Sequence, residues 1–214
     1  MTNQNLKQYT ANQRGASNDI GLKIDRLRVF RGQSLVINQL THYQSAGEIC
    51  CVKGANGAGK STLLRTLAGR LPAASGSIFC AIPRIYVGHA DGLSAAISGR
   101  ENLRGWAHLY GFSNDDKTLD IALGGFGAKN FADTPVRLLS RGQRRRLALS
   151  RLGLAPATSL WLLDEPTAGL DQAANESLDA IIVTHTQAGG MVLVATHVPL
   201  ARSLSQSTLI LGVT

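Results

Sequence analysis

Apolar residues follow, along most of the chain, spacings typical of strands that alternate with helices. Period-two alternation or short apolar runs predict strands at residues 22–29, 35–40, 48–52, 160–163, 191–195 and 208–213. Helical spacing predicts helices at residues 60–71, 101–110, 119–123 and 139–154. Strands that alternate with helices indicate an α/β fold with a largely parallel sheet.

The polar segment Met1 to Asp19 has little apolar periodicity. We expect it to be a flexible leader, with a docking tail as the alternative. Residues 20–214 are then expected to form one domain. Within it, residues 88–155 carry most of the predicted helices, so we expect a mainly helical lobe inserted into the α/β core.

Composition narrows the class of protein. The 214 residues are 44% hydrophobic and 17% charged, with a net charge of +8. The longest uncharged stretch, Ala180 to Ala201, is interrupted by polar residues and predicts a helix end, a turn and a short strand, not a membrane span. The three cysteines lack metal-ligand spacing and suit a reducing compartment. These features indicate a soluble basic domain and leave phosphate ligands and nucleic acid open as partners.

A glycine-rich motif lies between the third predicted strand and the first predicted helix, and it matches G-x-x-x-x-G-K-[ST]. It consists of Gly54, Ala55, Asn56, Gly57, Ala58, Gly59, Lys60, Ser61 and Thr62. Its glycines let backbone N–H groups surround phosphate oxygens, Lys60 reaches the β- and γ-phosphates, and Ser61 offers a hydroxyl to Mg²⁺. The alternative to a phosphate-binding loop is a glycine-rich turn between strand and helix that has no ligand. A dinucleotide fingerprint fails, because Thr62 stands where a glycine is needed.

The apolar run Leu160 to Leu163 predicts a buried strand that ends in two carboxylates, Asp164 and Glu165. Taken alone, such a pair could cap a helix. Together with the phosphate loop, it predicts Asp164 as a Mg²⁺ ligand and Glu165 as the general base that polarises the attacking water.

A third motif is carried by Leu139, Ser140, Arg141, Gly142 and Gln143. It resembles the signature motif of the ABC-type ATPases, with Arg141 in place of a glycine. The resemblance implies a P-loop NTPase of the ABC type, with a RecA-like core, a parallel sheet and an antiparallel β edge. It also implies a head-to-tail homodimer in which each signature contacts the γ-phosphate held by the other subunit. Without the resemblance, Ser140 is a helix N-cap and Arg144–Arg146 a solvated helix face.

Further elements match the family in order. Asp171, in Gly169-Leu170-Asp171, resembles the D-loop that crosses the dimer interface, and His197 resembles the switch histidine that contacts the γ-phosphate. Phe30 is either the aromatic residue that stacks on adenine or a core residue. The family has a glutamine at the end of the strand that follows the phosphate-loop helix. In this chain His89 takes that position, either as a Mg²⁺ ligand or only as a coupling residue.

Within the superfamily, five sequence segments resemble those of ATP-binding subunits of cytochrome c maturation complexes. They are residues 88–93, 101–107, 144–152, 160–163 and 189–197. This resemblance implies ATP and Mg²⁺ as cofactors. It implies two copies on integral membrane permease subunits at the cytoplasmic face of the inner membrane. There, ATP hydrolysis would drive haem export or the release of a haem-loaded chaperone.

Three other functions are kept open. The chain could serve another small ABC transporter, act as a soluble ABC ATPase on nucleic acid, or bind nucleotide without turnover. The charge of +8 permits nucleic acid. Against it, soluble ABC proteins of that kind usually carry two ATP modules or long coiled-coil insertions. Glu165 and His197 argue against a module without turnover.

Overall fold

The computed structural model describes residues 20–201 and 203–212. The expected leader, residues 1–19, lies outside the described residues, and so does Val213 at the end of the last predicted strand.

The strands are β1 (Ile20–Arg31), β2 (Ser34–Ser45), β3 (Ile49–Lys53), β4 (Ser75–Cys80), β5 (Arg84–Val87), β6 (Leu160–Asp164), β7 (Met191–Ala195) and β8 (Gln206–Ile210). The helices are α1 (Lys60–Leu67), α2 (Gly99–Tyr110), α3 (Asp116–Gly125), α4 (Arg141–Ser150) and α5 (Gln172–Gln187). Short 3₁₀ turns follow at Lys129–Phe131, Val136–Leu138 and Arg151–Leu154. The predicted α/β class, with a parallel sheet and an antiparallel β edge, is confirmed.

The parallel sheet has the strand order β5-β6-β7-β3-β8. Strands β6 and β7 are buried along their whole length, which is why their sequences are continuous apolar runs. The register pairs Val52 with Ala195, Ala195 with Asp164, and Leu163 with Val87. The carboxyl ends of β3, β7, β6 and β5 therefore lie side by side along one edge of the sheet.

The antiparallel sheet has the order β2-β1-β4. Along β1, Leu22, Ile24, Leu27 and Val29 are buried and the residues between them are more exposed, so one face points to the core. The buried side chain of Gln44 ties the two sheets together. Its Nε2 donates to the carbonyl oxygens of Glu48 at 2.8 Å and Val192 at 2.9 Å.

Three groups of buried side chains fill the interior. The first joins the antiparallel sheet, α1 and one face of the parallel sheet. The second joins the other face of the parallel sheet to α5 and to the end of α4. The third belongs mainly to α2, α3 and α4, which lie in sequence between β5 and β6. The helical segment thus has apolar packing of its own next to the core of the sheet.

Two helices end earlier than their apolar spacing predicts. Helix α1 stops at Leu67 instead of Leu71, because Gly69 adopts a left-handed conformation with φ 71° and the N–H of Arg70 donates to the carbonyl of Arg65 at 2.9 Å. This is the hydrogen bond of a Schellman ending. The predicted helix over 139–154 is α4 up to Ser150 and a 3₁₀ turn beyond it.

The described part of the chain contains no helix that combines the length and the apolar character needed to cross a membrane. The uncharged stretch from Ala180 to Ala201 contains the end of α5, a turn and strand β7, as predicted.

A buried histidine stabilises the junction of α5 and β7. The ring of His185 stacks on Trp161 with centroids 3.6 Å apart, and its Nε2 lies 2.9 Å from the carbonyl oxygen of Ser159. A carbonyl can only accept, so Nε2 carries the hydrogen. Burial lowers the pKa of His185, which favours this neutral form. A Cβ added at Gly190 would come within 2.2 Å of Nε2, so the turn needs glycine there.

We therefore expect Gly190→Ala to displace His185 and to lower the free energy of unfolding by about 1–3 kcal/mol. Urea denaturation measures this change. Gly105→Ala is the matched control, because Gly105 lies exposed inside α2 with open space around a new Cβ. The control should be neutral or stabilising by up to ~1 kcal/mol. Equal free energies of unfolding for the two variants would contradict this account of Gly190.

Candidate nucleotide site

The loops at the carboxyl ends of β3, β5, β6 and β7 surround a cavity of about 240 Å³. Its lining includes ten residues selected from the sequence: Asn56, Gly57, Gly59, Lys60, Ser61, Thr62, His89, Asp164, Glu165 and His197. Arg31 and Val36 of the antiparallel sheet complete it. A second cavity of about 210 Å³ is lined by Gly54 and Lys60, together with Thr196 and His197.

The phosphate loop connects β3 to α1 through glycines with positive φ: 152° at Gly54, 86° at Gly57 and 100° at Gly59. The loop closes with a hydrogen bond from the Ala58 N–H to the carbonyl of Ala55 at 3.1 Å. Gly59 is also needed for space, because a Cβ there would lie 2.6 Å from the Val36 side chain. The hairpin of β1 and β2 therefore rests directly on the loop.

Lys60 lies at the start of α1 and folds back over the loop. Its Nζ donates to the carbonyl oxygens of Gly54 at 2.7 Å and Ala55 at 3.1 Å. Lys60, held by these neutral acceptors, lines both cavities. Because the N-terminus of α1 faces the same space, the loop combines a side-chain cation with the positive end of a helix dipole.

Ser61 and Asp164 meet across the cavity. Ser61 Oγ, in the first turn of α1, donates to Oδ1 of Asp164, the last residue of β6, at 3.0 Å. Asp164 is only 2% exposed, and its Oδ2 has no hydrogen-bond partner among the described residues. A buried carboxylate oxygen without a partner is costly unless a cation or donor satisfies it. The hydroxyl and carboxylate oxygens present here are the ligands that Mg²⁺ prefers.

Glu165 follows β6 in a strained conformation, with φ 48°. Its N–H donates to the carbonyl of Ala195 at 2.8 Å, which fixes the residue against the end of β7. Its Oε1 lies 3.5 Å from Nε2 of His197, whose side chain is 64% exposed. His89 follows the neighbouring strand β5 and lines the same cavity.

Phe30 and Arg31 are adjacent on β1 but differ in position. Val29 is buried, and the alternation of the strand places Arg31 on the same side as Val29 and Phe30 on the opposite side. Arg31 lines the cavity, whereas Phe30 is 50% exposed beside Leu35, its partner on β2, and is not a core residue. The stacking of Phe30 on adenine stays a prediction, and Arg31 is a cavity residue that the sequence analysis missed.

The signature motif begins helix α4. Ser140 is its N-cap: the N–H of Gln143 donates to Ser140 Oγ at 3.2 Å, and the Ser140 N–H donates to Gln143 Oε1 at 2.8 Å. This capping box fixes the exposed start of the helix. A Cβ at Gly142 would lie 2.9 Å from the carbonyl oxygen of Gly169, so the signature and the D-loop segment are in close contact. Arg141 is exposed beside Gly169.

Asp171 caps α5 and is also bonded to the signature helix. Its Oδ1 accepts from the N–H of Ala174 at 2.9 Å, and its Oδ2 pairs with Arg146 at 2.5 Å. The backbone hydrogen bond from Ala174, followed by the Arg146 guanidinium, lowers the pKa of Asp171. None of the residues from Ser140 to Gln143, nor Asp171, lines the cavity of this chain.

The prediction of a solvated helix face at Arg144–Arg146 is wrong for Arg145. This side chain is buried, with 2% of the residue exposed. Its guanidinium points into the fold and bonds to the segments that carry Glu165 and His89. A run of three arginines gave no sign of which one is buried, because that depends on how α4 packs on the sheet.

The fold and these loops together define a P-loop NTPase: a parallel sheet with a phosphate loop, a paired Ser61 and Asp164, and Glu165 beside His197. Comparison with known protein families narrows the class. The family model for ABC transporters matches residues 37–168, which is more than half of the chain. The chain belongs to the ABC transporter family as an ATP-hydrolysing domain.

Several curated relatives share one kind of name. The chain is 38% identical over 191 residues to the cytochrome c biogenesis ATP-binding export protein CcmA 2 of Cupriavidus metallidurans, covering 84% of this chain and 90% of that protein. It is 41% identical over 180 residues to the protein named CcmA of Paracoccus denitrificans, covering 84% and 83%.

Solved structures show the same fold. An ATP-binding subunit of an ABC transporter superposes with a TM-score of 0.77 at 22% identity, covering 89% of this chain and 85% of the other. A putative ABC transporter ATP-binding protein from Pyrococcus furiosus gives 0.74 at 22% identity, covering 89% and 96%. Together with the family match, these superpositions confirm the predicted ABC-type P-loop fold.

The positions of Arg31 and Phe30 lead to a prediction about nucleotide affinity. We expect Arg31→Ala to weaken ATP binding about two- to fivefold, since a guanidinium over an aromatic base contributes roughly 0.5–1 kcal/mol at an exposed site. Phe30→Ala should change the Kd less than twofold. Titration with a fluorescent ATP analogue measures both. The reverse order of effects would instead support stacking of Phe30 on adenine.

Proposed function

We propose that the chain is the ATP-binding and ATP-hydrolysing subunit of an ABC complex in c-type cytochrome biogenesis, where it drives haem export or the release of a haem-loaded chaperone. The observation that carries the ATPase part is the convergence of Lys60, Ser61, Asp164, Glu165 and His197 on one cavity. The biological part is supported by relatives at 38–41% identity that are named as cytochrome c biogenesis ATP-binding export proteins.

ATP binding begins with its phosphates. Lys60 exchanges the carbonyls of Gly54 and Ala55 for β- and γ-phosphate oxygens, which are stronger partners for an ammonium group. The backbone N–H groups of residues 54–62 and the start of α1 bind the same phosphates. Arg31, His89 and His197 add side chains that can donate to an anion around the cavity.

Ser61 and Asp164 fit a Mg²⁺ ion that arrives with the nucleotide. Their oxygens already meet at 3.0 Å, and the buried Oδ2 of Asp164 remains available. The ion supplies charge neutralisation to the phosphates, as in other P-loop enzymes. His89 lies on the same cavity and is a candidate for either a coordinating or a coupling role.

Glu165 acts on the attacking water. Its carboxylate is oriented by a backbone fixed at Ala195, and it can accept the water's proton as the water approaches the γ-phosphorus. His197, 3.5 Å from that carboxylate, contacts the γ-phosphate and keeps Glu165 in place. The two side chains therefore orient the nucleophile and its target together.

A second copy of the chain completes each site. Ser140 to Gln143 and Asp171 lie outside the chain's own cavity, on an exposed helix start and an adjoining loop. In a head-to-tail homodimer, the signature of one chain faces the γ-phosphate held by the other, and Asp171 lies at the interface. ATP closes this dimer, because nucleotide binds the closed state more tightly, and hydrolysis reopens it.

We further propose that the dimer binds integral membrane permease subunits at the cytoplasmic face of the inner membrane. The helical segment around His89 to Tyr110 is the proposed docking region, since it links the cavity to α2. The domain is proposed to span residues 20–214. Nucleic acid is not proposed as a partner, because the basic groups at the cavity suit nucleotide phosphates.

The role of Glu165 predicts a trapped state. Glu165→Gln should lower kcat by about 100-fold or more while ATP still binds, because the amide cannot accept the proton. The variant should then elute as an ATP-bound dimer in size-exclusion chromatography. Glu176→Gln is the matched control, since Glu176 is exposed on α5 and outside the cavity. Turnover at the parental rate in Glu165→Gln would show that another group is the base.

The proposed pathway predicts the partners. When the tagged chain is purified from detergent-solubilised membranes of its own cells, integral membrane proteins of c-type cytochrome maturation should be recovered with it. Mass spectrometry identifies them, and Lys60→Ala tests whether recovery depends on nucleotide. Recovery of an unrelated permease alone would contradict the cytochrome assignment. Salt-sensitive retention on DNA or RNA, with no membrane protein recovered, would favour the nucleic-acid alternative.

A further inference from the structure

Arg145 connects the signature helix to the catalytic side of the same chain. It lies in the second turn of α4, five residues after Ser140, and its side chain is 3% exposed. The helix begins at the exposed signature, while Arg145 points in the other direction, towards the carboxyl ends of β5 and β6. One helix therefore carries both the proposed contact with the partner's nucleotide and a buried cation beside the chain's own site.

The hydrogen bonds of Arg145 use its whole guanidinium group. A guanidinium has five N–H bonds, and the structure supplies five acceptors for them. They are the carbonyl oxygens of Pro166 (Nε, 3.1 Å), Gly88 (Nη1, 2.7 Å), Asp164 (Nη2, 3.2 Å) and Glu165 (Nη2, 2.8 Å), and the Asp91 carboxylate (Nη1, 3.4 Å). The planar fork thus joins two separate loops, residues 88–91 and 164–166, at fixed distances.

The acceptors flank the groups proposed for hydrolysis. Glu165 has a strained φ of 48°, a conformation that persists only when its surroundings hold it. Its N–H is held by the Ala195 carbonyl, and its own carbonyl is held by Arg145. With both backbone groups bonded, the main chain of Glu165 is held in place, and the point from which its side chain starts is fixed. On the other loop, Gly88 immediately precedes His89, so the same guanidinium also fixes the start of the His89 segment.

A second buried arginine holds the other end of that segment. Arg151, in the 3₁₀ turn after α4, donates to the carbonyl oxygens of Asp91 at 2.9 Å and Gly92 at 2.6 Å. The segment from Gly88 to Gly92 is therefore bonded at both ends to the α4 region. Movement of α4 relative to the sheet would be transmitted to His89 and to the carbonyl of Glu165 at the same time.

The charge of Arg145 is permanent. Burial lowers its pKa from the usual value for arginine, and the nearby Asp91 carboxylate opposes that effect. Arginine remains charged at every physiological pH. Arg145 does not line the cavity. Any effect on hydrolysis must therefore come from the position of the groups it bonds, not from proton transfer.

We propose that Arg145 is a positioning residue for ATP hydrolysis. Its guanidinium holds the backbone of Glu165 and the start of the His89 segment at fixed positions relative to each other and to the signature helix. The proposal rests on the proposed role of Glu165 as general base. Arginine is required, because a lysine has three N–H bonds on a single atom and cannot join the same acceptors in a plane.

The test compares Arg145→Lys and Arg145→Gln with Arg137→Gln, a control at an exposed arginine in the same segment of the chain. Each is assayed at least 15 °C below its own melting temperature, so that all variants are folded. We expect kcat to fall about 10- to 100-fold for Arg145→Lys, since small displacements of a catalytic group have effects of this size. KM and the Kd for ATP should change less than threefold, and the control should match the parent.

A double-mutant cycle distinguishes positioning from a general structural effect. If Arg145 acts through Glu165, the Arg145→Lys penalty should largely disappear in the Glu165→Gln background, because the group that it positions is already inactive. An undiminished penalty would overturn the proposal, and so would a kcat within twofold of the parent for Arg145→Lys. The single variant Glu165→Gln tests the proposed base independently: if its kcat equals that of the parent, the role of Glu165 has failed, whatever the result for Arg145.

A second variant keeps the test decisive if Arg145→Lys does not fold. Asp91→Asn leaves the arginine in place and removes the charge of its carboxylate partner. We expect a fall in kcat of about threefold or more with an unchanged Kd for ATP, and again a smaller effect in the Glu165→Gln background. An unchanged kcat in folded Asp91→Asn would count against the proposal in the same way.

Discussion

The parallel register of β3, β7, β6 and β5 is the constraint on which the rest of the site depends. Because Val52, Ala195 and Asp164 lie in register across three strands, the loops that follow them begin at the same height. A shift of one residue in β6 would turn Asp164 to the other face of the sheet and break its contact with Ser61. The buried apolar runs of β6 and β7 maintain that register through packing on both faces.

The site is left with strain and unsatisfied groups that its ligands can relieve. Asp164 keeps one buried oxygen without a partner in the described structure, and Lys60 is bonded only to neutral carbonyls. Glu165 is held in a sparsely populated conformation. Such features cost stability and are kept where they prepare a site for its ligand. The apolar packing of α1 and of the two sheets provides the stability that makes this arrangement possible.

Elements with strong local signals were predictable from the sequence. Strands β3, β6 and β7 are continuous apolar runs, and the phosphate loop lies between a strand and a helix as its motif requires. Strand β4 was not predicted, because most of its residues are exposed and their apolar alternation is weak. Its hydrogen bonds to β1, which the sequence does not reveal, define it as a strand. The end of α1 was placed too late, because the apolar face of a helix does not report a left-handed glycine.

The sequence by itself determined the class of protein, because two short local motifs carry the groups that bind and hydrolyse a nucleotide phosphate. These groups belong to Lys60, Ser61, Asp164 and Glu165. Only the tertiary structure decided which of the neighbouring arginines on α4 is buried and which of the adjacent residues Phe30 and Arg31 lines the cavity. Arg145 is buried and its neighbours are not, and Arg31 lines the cavity where Phe30 does not. The physical reason is that these choices depend on the rotation of α4 against the sheet and on the register of β1. Both are set by contacts between residues far apart in the chain.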